Sequence, residues 1–243
     1  MSTDTVVLSR ETTKRLIKDI REMIKNPLDD DGIYYKHDET NILEGYAYIS
    51  GPSESQYVGG NYFFKLTFPS DYPHQPPNVE FMTNDGVTRF HPNMYRNGKM
   101  CLSILNTWRG DQWTGCQSIR TILLTIISIL DNVPLLHEPG FTVKHQDVDK
   151  YNEIILYRNI DYSVIDIINK IDCVDKSTSQ HSFNILFKDD IICEFKKKQA
   201  EILSILEKKK EDDSTFFIKT GIYNLNVKIN WKETYDKFIK LKI

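Results

Sequence analysis

Between residues 42 and 82 the chain repeats short runs in which apolar side chains fall on every second position, and this limits its fold more than any other feature. In 42–50, Leu43, Ala47 and Ile49 share one face with Gly45 between them; in 62–68, Tyr62, Phe64, Leu66 and Phe68 do the same; in 78–82, Val79 and Phe81 alternate with Asn78 and Glu80. A period of two is the signature of strands with one face turned to a core. Gly51-Pro52 and Gly59-Gly60 separate these runs, and Asp29-Asp30-Asp31-Gly32 precedes them. Three or four strands joined by tight turns are therefore expected, as an antiparallel meander. Residues 68–77 carry prolines at 69, 73, 76 and 77. Proline lacks the amide a central strand needs, so this segment reads as a rigid surface loop.

Helical patterns flank the strands. Residues 9–25 place Leu16, Ile17, Ile20, Met23 and Ile24 at helical spacing, with Ser9 as a cap and Asn26-Pro27 as a stop. Lys14, Lys18 and Lys25 fall roughly opposite that stripe, beside Arg21. Thr114 and Gln117 form a capping box ahead of Ile119, Ile122, Leu123, Ile126, Ile127 and Leu130. Residues 145–170 look helical, 172–182 read as a polar linker, and 183–210 as one long lysine-rich helix. Residues 216–227 fit no single type, and 230–242 read as a closing helix with Trp231, Tyr235, Phe238 and Ile239.

A chain of 243 residues holds one or two domains and a sizeable core. A net charge of −3 gives no global field for nucleic acid or an anionic membrane. The four cysteines, 101, 116, 173 and 193, lie far apart with no Cys-x-x-Cys pair. That pattern suits reduced thiols and a cytoplasmic or nuclear protein. Cys101, Cys116, His137 and His145 match the spacing of no zinc finger, and no metal site is assigned. The N-terminus lacks the basic-then-apolar layout of a signal peptide, and the longest apolar run, 119–130, is too short for a membrane span.

The chemistry concentrates in residues 91–113. Cys101 sits between Met100 and Leu102, after the turn-like Asn97-Gly98-Lys99. Asn93 lies eight positions earlier, in a His-Pro-Asn tripeptide whose proline presets the backbone. A thiolate is a good nucleophile and a good leaving group, suited to carrying an acyl group briefly, provided the sulfur can be reached from water. An amide nearby can donate to the oxyanion formed when that group moves on.

Gly59-Gly60, Phe68-Pro69-Ser70-Asp71-Tyr72-Pro73, Pro76-Pro77, His91-Pro92-Asn93, Cys101-Leu102, Ile104-Leu105 and Trp113 occur in order at characteristic separations. Over residues 9–160 this resembles the ubiquitin-conjugating enzymes. Tyr95-Arg96-Asn97-Gly98-Lys99 and Cys101-Leu102-Ser103-Ile104-Leu105, followed by Thr107-Trp108, resemble the long form known as conjugating enzyme Z. The resemblance implies an α+β fold: an N-terminal helix, a four-stranded antiparallel meander, then helices. Residues 1–160 would be the catalytic domain and 161–243 a mainly helical extension, either packed on it or selecting its partners.

It also implies a reaction. Cys101 would accept the C-terminal acyl group of ubiquitin or a relative from an activating enzyme, then yield it to a substrate lysine or to a ligase. ATP would be consumed upstream; no Gly-x-x-x-x-Gly-Lys is present, and no cofactor is expected. The second step is the hard one, since a free lysine of pKa ~10.4 is neutral only about once in 10³ at pH 7, a handicap of roughly 4 kcal/mol. Glu138, in His137-Glu138-Pro139-Gly140-Phe141, matches the family's acidic gate, as proton acceptor or orienting group. Asn93 would stabilise the oxyanion or brace its loop, and His91 would fix the turn rather than act as a base.

No protease signature surrounds Cys101. A catalytically silent ubiquitin-binding variant of the fold would lack the cysteine. Lys14 and Lys18 on the first helix, His74 on the proline-rich loop, Trp113, Gly115 and Cys116 match the surface where activating enzyme and ligases dock in turn. His74 replaces a common aromatic, and Gly115-Cys116 a common Pro-Ala, which bears on the choice of ligase. Trp108 is expected to pack on Trp113.

Overall fold

In the computed structural model, which describes residues 8–171, 179–211 and 214–241, the chain enters its first helix at the expected cap. Ser9 Oγ accepts the Thr12 amide at 2.9 Å, opening α1 (Arg10–Lys25). Its buried face is Thr12, Leu16, Asp19 and Met23; Ile17 and Ile24, expected in the stripe, are exposed. The helix is rotated because Asp19 turns inward, held by Arg15 Nε at 2.9 Å and by the Tyr72 hydroxyl at 2.5 Å. A buried carboxylate is tolerated when it is paired and hydrogen-bonded in this way.

The meander forms as expected. β1 (Ile33–His37), β2 (Glu44–Ser50), β3 (Asn61–Thr67) and β4 (Asn78–Phe81) pair in order, every pair antiparallel. The link between β2 and β3 is not a tight turn. It is the loop 51–60, pinched at its neck where the Gly51 amide donates to the Gly60 carbonyl at 2.8 Å and the Gly59 amide to the Gly51 carbonyl at 3.0 Å. Gly51 is required there, since a Cβ would lie 1.7 Å from the Tyr57 carbonyl oxygen.

The inner face of the sheet, with Ala47, Ile49, Phe64 and Leu66, packs into one core with Leu16, Ile122 and Tyr151. α2 (Ile119–Ser128) packs against α1 and adds Ile119, Ile122, Leu123 and Ile126 to this core. Its capping box is Ser118 with Thr121, not Thr114 with Gln117. The latter pair does meet, the Thr114 amide donating to Gln117 Oε1 at 3.1 Å, but it closes a separate turn before the helix. α3 (Val148–Arg158) runs on through a wider π-helical segment (Asn159–Asp166) into α4 (Ile167–Asn169). Asn159 accounts for the widening: its amide takes the Tyr62 hydroxyl at 2.6 Å and donates to the Val58 carbonyl at 2.9 Å, pulling the backbone toward the sheet.

The expected long helix 183–210 is two, α5 (Ser179–Leu186) and α6 (Lys188–Lys209), broken at Phe187. The linker expected at 172–182 is helical from Ser179, and residues 172–178, with Cys173, lie outside the described residues. β5 (Phe216–Lys219) and β6 (Asn226–Ile229) form an antiparallel hairpin, and α7 (Trp231–Phe238) closes the chain. These elements cover the outer face of the sheet, where Tyr34, Tyr48 and Phe63 join a second core with Phe183, Phe187, Phe195 and Trp231. No helix among the described residues is long and apolar enough to cross a membrane.

Candidate active site

The eight-residue spacing of Asn93 and Cys101 is the span of a small hairpin. Met94 bridges Met100 in antiparallel fashion, the Tyr95 amide donates to the Lys99 carbonyl at 2.9 Å, and the Gly98 amide to Tyr95 at 2.9 Å. Gly98 takes a φ of +86° at the turn, a conformation glycine adopts freely, and its carbonyl accepts the Phe81 amide at 2.7 Å, hooking the hairpin onto β4. Asn93 and Cys101 thereby fall opposite one another. The Cys101 amide donates to the Asn93 carbonyl at 2.9 Å, and the Asn93 side-chain amide donates back to the Cys101 carbonyl. Asn93 Oδ1 is buried without a partner, so the side chain keeps an acceptor in reserve.

Met100 and Leu102 belong to the main core cluster, and Cys101 between them is buried as well. It is only 2 % exposed, so the expectation of a sulfur open to water is not met in this structure. The backbone beyond Cys101 is closed by Thr107, whose amide and hydroxyl both donate to the Leu102 carbonyl, at 3.2 and 3.1 Å.

His91 is fully buried and its Nδ1 accepts the Asn93 amide at 3.0 Å, fixing the turn that carries Asn93. Its Nε2 lies near the Ile129 backbone without a well-formed hydrogen bond. Burial, with His137 nearby, holds its pKa well below the ordinary histidine value, so the ring stays neutral. The rings of His91 and His137 lie 4.9 Å apart, and His137 Nε2 meets Asp131 Oδ2 at 2.8 Å. Burial opposes ionisation of Asp131, yet its bonds to His137 and the Val133 amide hold its pKa below the usual carboxylate range.

Contacts thus run without a break from Cys101 through Asn93 and His91 to His137, which ends the short helix Pro134–His137. Glu138 follows, half-buried, with Oε2 accepting the hydroxyl of Tyr223. Tyr223 was not a candidate on sequence grounds. The Gly-Ile-Tyr-Asn run at 221–224 has turn chemistry, but nothing in it signals a partner 85 positions away.

The expected docking residues also meet. Thr12 Oγ1 of α1 donates to the Ser70 carbonyl at 3.0 Å, Arg15 donates to the carbonyls of Gly115 and Gln117, and Trp113 Nε1 donates to the Pro73 carbonyl at 2.7 Å. Lys14, Lys18, His74, Gly115 and Cys116 are exposed on this contiguous surface. Trp113 is buried, its ring 5.9 Å from Tyr72. Trp108, expected to pack on it, is instead 38 % exposed, on a loop where Gln112 donates to its carbonyl at 3.0 Å.

The family model for "Ubiquitin-conjugating enzyme" matches residues 15–154. Ubiquitin-conjugating enzyme E2 Z of Xenopus tropicalis is 37 % identical over 181 residues, covering 72 % of this chain and 57 % of that protein. The human protein of the same name is 40 % identical over 157 residues, 63 % of this chain and 44 % of its own length. This chain therefore spans about half the length of the relatives it matches. Human ubiquitin-conjugating enzyme E2 G1 has a solved structure with 31 % identity and a TM-score of 0.44, over 51 % of this chain and 97 % of that one. With the family model spanning more than half of the sequence, including the Asn93–Cys101 hairpin, the chain belongs to the ubiquitin-conjugating enzyme family.

Proposed function

We propose that this protein accepts ubiquitin or a ubiquitin-like modifier as a thioester on Cys101 and passes it to a substrate lysine or to a ligase. The observation that carries this is the cross-strand pairing of Asn93 with Cys101, which ties a side-chain amide donor to the backbone of the one cysteine in the matched hairpin.

In loading, the Cys101 sulfur attacks the carbonyl carbon of the activating enzyme's thioester; the new C–S bond forms as the old one breaks, and the activating enzyme's thiol leaves. In discharge, a lysine nitrogen attacks that carbon, the C–N bond forms, Cys101 leaves as thiolate, and the ammonium proton passes to a base. Glu138 is the group we assign to orient the amine or take its proton, and Asn93 the group that holds the oxyanion or the loop. Since Cys101 is 2 % exposed, loading displaces the groups that cover it. The surface formed by Lys14, Lys18, His74, Gly115 and Cys116, braced by the buried Trp113, receives activating enzyme and ligase in turn. ATP acts only on the activating enzyme, and the cytoplasm or nucleus is the setting.

The test is charging. Protein incubated with an activating enzyme, ATP and each of a panel of modifiers should form an adduct cleaved by thiol, and Cys101→Ser an adduct that resists it. Failure across the whole panel would leave a non-catalytic ubiquitin-binding module as the better account.

A further inference from the structure

The turn between β5 and β6 is built to hold one phenol at the gate. Gly221 and Ile222 both donate their amides to Asp147 Oδ2, at 2.9 and 3.0 Å, and Asp147 is only 3 % exposed. Arg96 donates to the Tyr223 carbonyl at 2.9 Å. The Tyr223 ring lies 5.9 Å from that of Tyr151 and 4.9 Å from the Arg89 guanidinium. Within this clamp Tyr223 and Asn224 both take positive φ, +57° and +51°. Asparagine tolerates the left-handed region; a tyrosine seldom adopts it. Strain of this kind persists only where the surroundings over-determine it. Its result here is that the hydroxyl donates to Glu138 Oε2. Burial first, then this bond, push the Tyr223 pKa above the ordinary tyrosine value, so the phenol remains a donor throughout the working range of pH.

We infer that Tyr223 is a positioning residue for discharge: the C-terminal extension reaches across the molecule and sets the Glu138 carboxylate in the orientation from which it serves the incoming lysine. The extension then completes the gate as well as covering the sheet. Only one oxygen of Glu138 is occupied by the phenol, which leaves Oε1 free of it for the amine. The inference rests on the thioester role of Cys101 and on Glu138 as the gate group.

The experiment follows single-turnover discharge of already charged full-length protein onto free lysine, so differences in loading do not enter. Tyr223→Phe keeps the ring and removes the hydroxyl. Its maximal discharge rate should fall about three- to tenfold, with the half-saturating lysine concentration unchanged. In a Glu138→Ala background the same substitution should change nothing further. Equal discharge by wild type and Tyr223→Phe, or an equal drop in both backgrounds, overturns the inference, since the hydroxyl would then not act through Glu138. Asp147→Asn, which leaves the phenol and weakens its anchor, should slow discharge only when Glu138 is present; it decides the matter should Tyr223→Phe fold poorly. A wild type that never charges removes the thioester role itself, a different failure from these.

Discussion

At the scale of single residues, His91 shows how one buried side chain can hold a neighbouring residue in place. Its ring is fully buried and accepts the Asn93 amide at 3.0 Å, which keeps Asn93 opposite Cys101. Protonation would add a second hydrogen at Nδ1, where that amide already donates, and place a charge in a dry site beside His137. The pKa in the fold is therefore depressed, while in the unfolded chain it is ~6.5. Below pH ~6.5 the unfolded chain takes up a proton that the folded one refuses, so stability is full above that pH and falls as acid is added. The slope from this one group approaches about 1.4 kcal/mol per pH unit well below pH ~6.5. Urea unfolding of wild type and His91→Gln should show the wild type losing about 1.4 kcal/mol more in total between pH 7.5 and 5.5; parallel curves would mean that the ring titrates normally. The difference between the two proteins matters because His37, also depressed by burial, tilts both curves alike. The spacing that brings Asn93 to Cys101 was legible in the sequence, because Asn97-Gly98 announces the turn. The cover over Cys101 was not, since exposure depends on side chains from distant segments.

At the scale of elements, the strands, α1 and α2 follow from local pattern, and the departures come where a long-range contact overrides it. The break between α5 and α6 is one. Periodicity alone carries a helix across residues 183–210, yet Phe187 leaves helical geometry at φ −111° and ψ 21°. Its ring instead enters a slot on the outer face of the sheet, 5.9 Å from Tyr48 and 6.3 Å from Phe63, with the Lys36 ammonium 4.9 Å from its centre. A fresh helix then starts with Asp189 and Asp190 in its first turn, where acidic groups favour the N-terminus. Tyr46, Tyr48 and Phe63, on the face turned away from the inner core, pack into this second core, a covering that the period-two pattern of the first face did not reveal. Phe187→Ala should cost about 3–5 kcal/mol, as for large-to-small changes at a fully buried ring. Phe217→Ala, at an exposed position on β5, should cost little. Comparable losses in urea midpoint for the two would show that Phe187 does not anchor the extension.

At the scale of the whole molecule, the family model spans residues 15–154, and the sequence resemblance implies a catalytic domain over 1–160 followed by an extension over 161–243. We propose that this division is one of role and not of folding. The boundary falls inside the π-helical segment Asn159–Asp166, whose Asn159 bonds to Tyr62 and whose Ser163 carbonyl accepts the Asn61 amide at 2.7 Å. The two cores lie on opposite faces of the same strands: Tyr62 and Phe64 point into one, Tyr48 and Phe63 into the other. Polar ties cross the division as well. Glu153 of α3 takes Lys209 Nζ at 2.5 Å and Trp231 Nε1 at 2.9 Å, and Lys198 of α6 donates to the Gly51 carbonyl at 2.8 Å. A chain in which neither core can be exposed without stripping a face of the shared sheet has no stable half-folded state. It should therefore unfold as one unit. The tryptophans make this measurable, because Trp113 sits against the proline-rich loop in the first core and Trp231 in the second. In Trp113→Phe the buried reporter is Trp231; in Trp231→Phe it is Trp113. Within each protein, fluorescence and far-ultraviolet circular dichroism should give urea midpoints agreeing within about 0.3 M, with slopes scaled to the surface of the full chain. A Trp231 transition well ahead of the loss of secondary structure would show that the extension detaches first, and the link from Tyr223 to Glu138 would then be a contact the molecule makes and breaks while still folded.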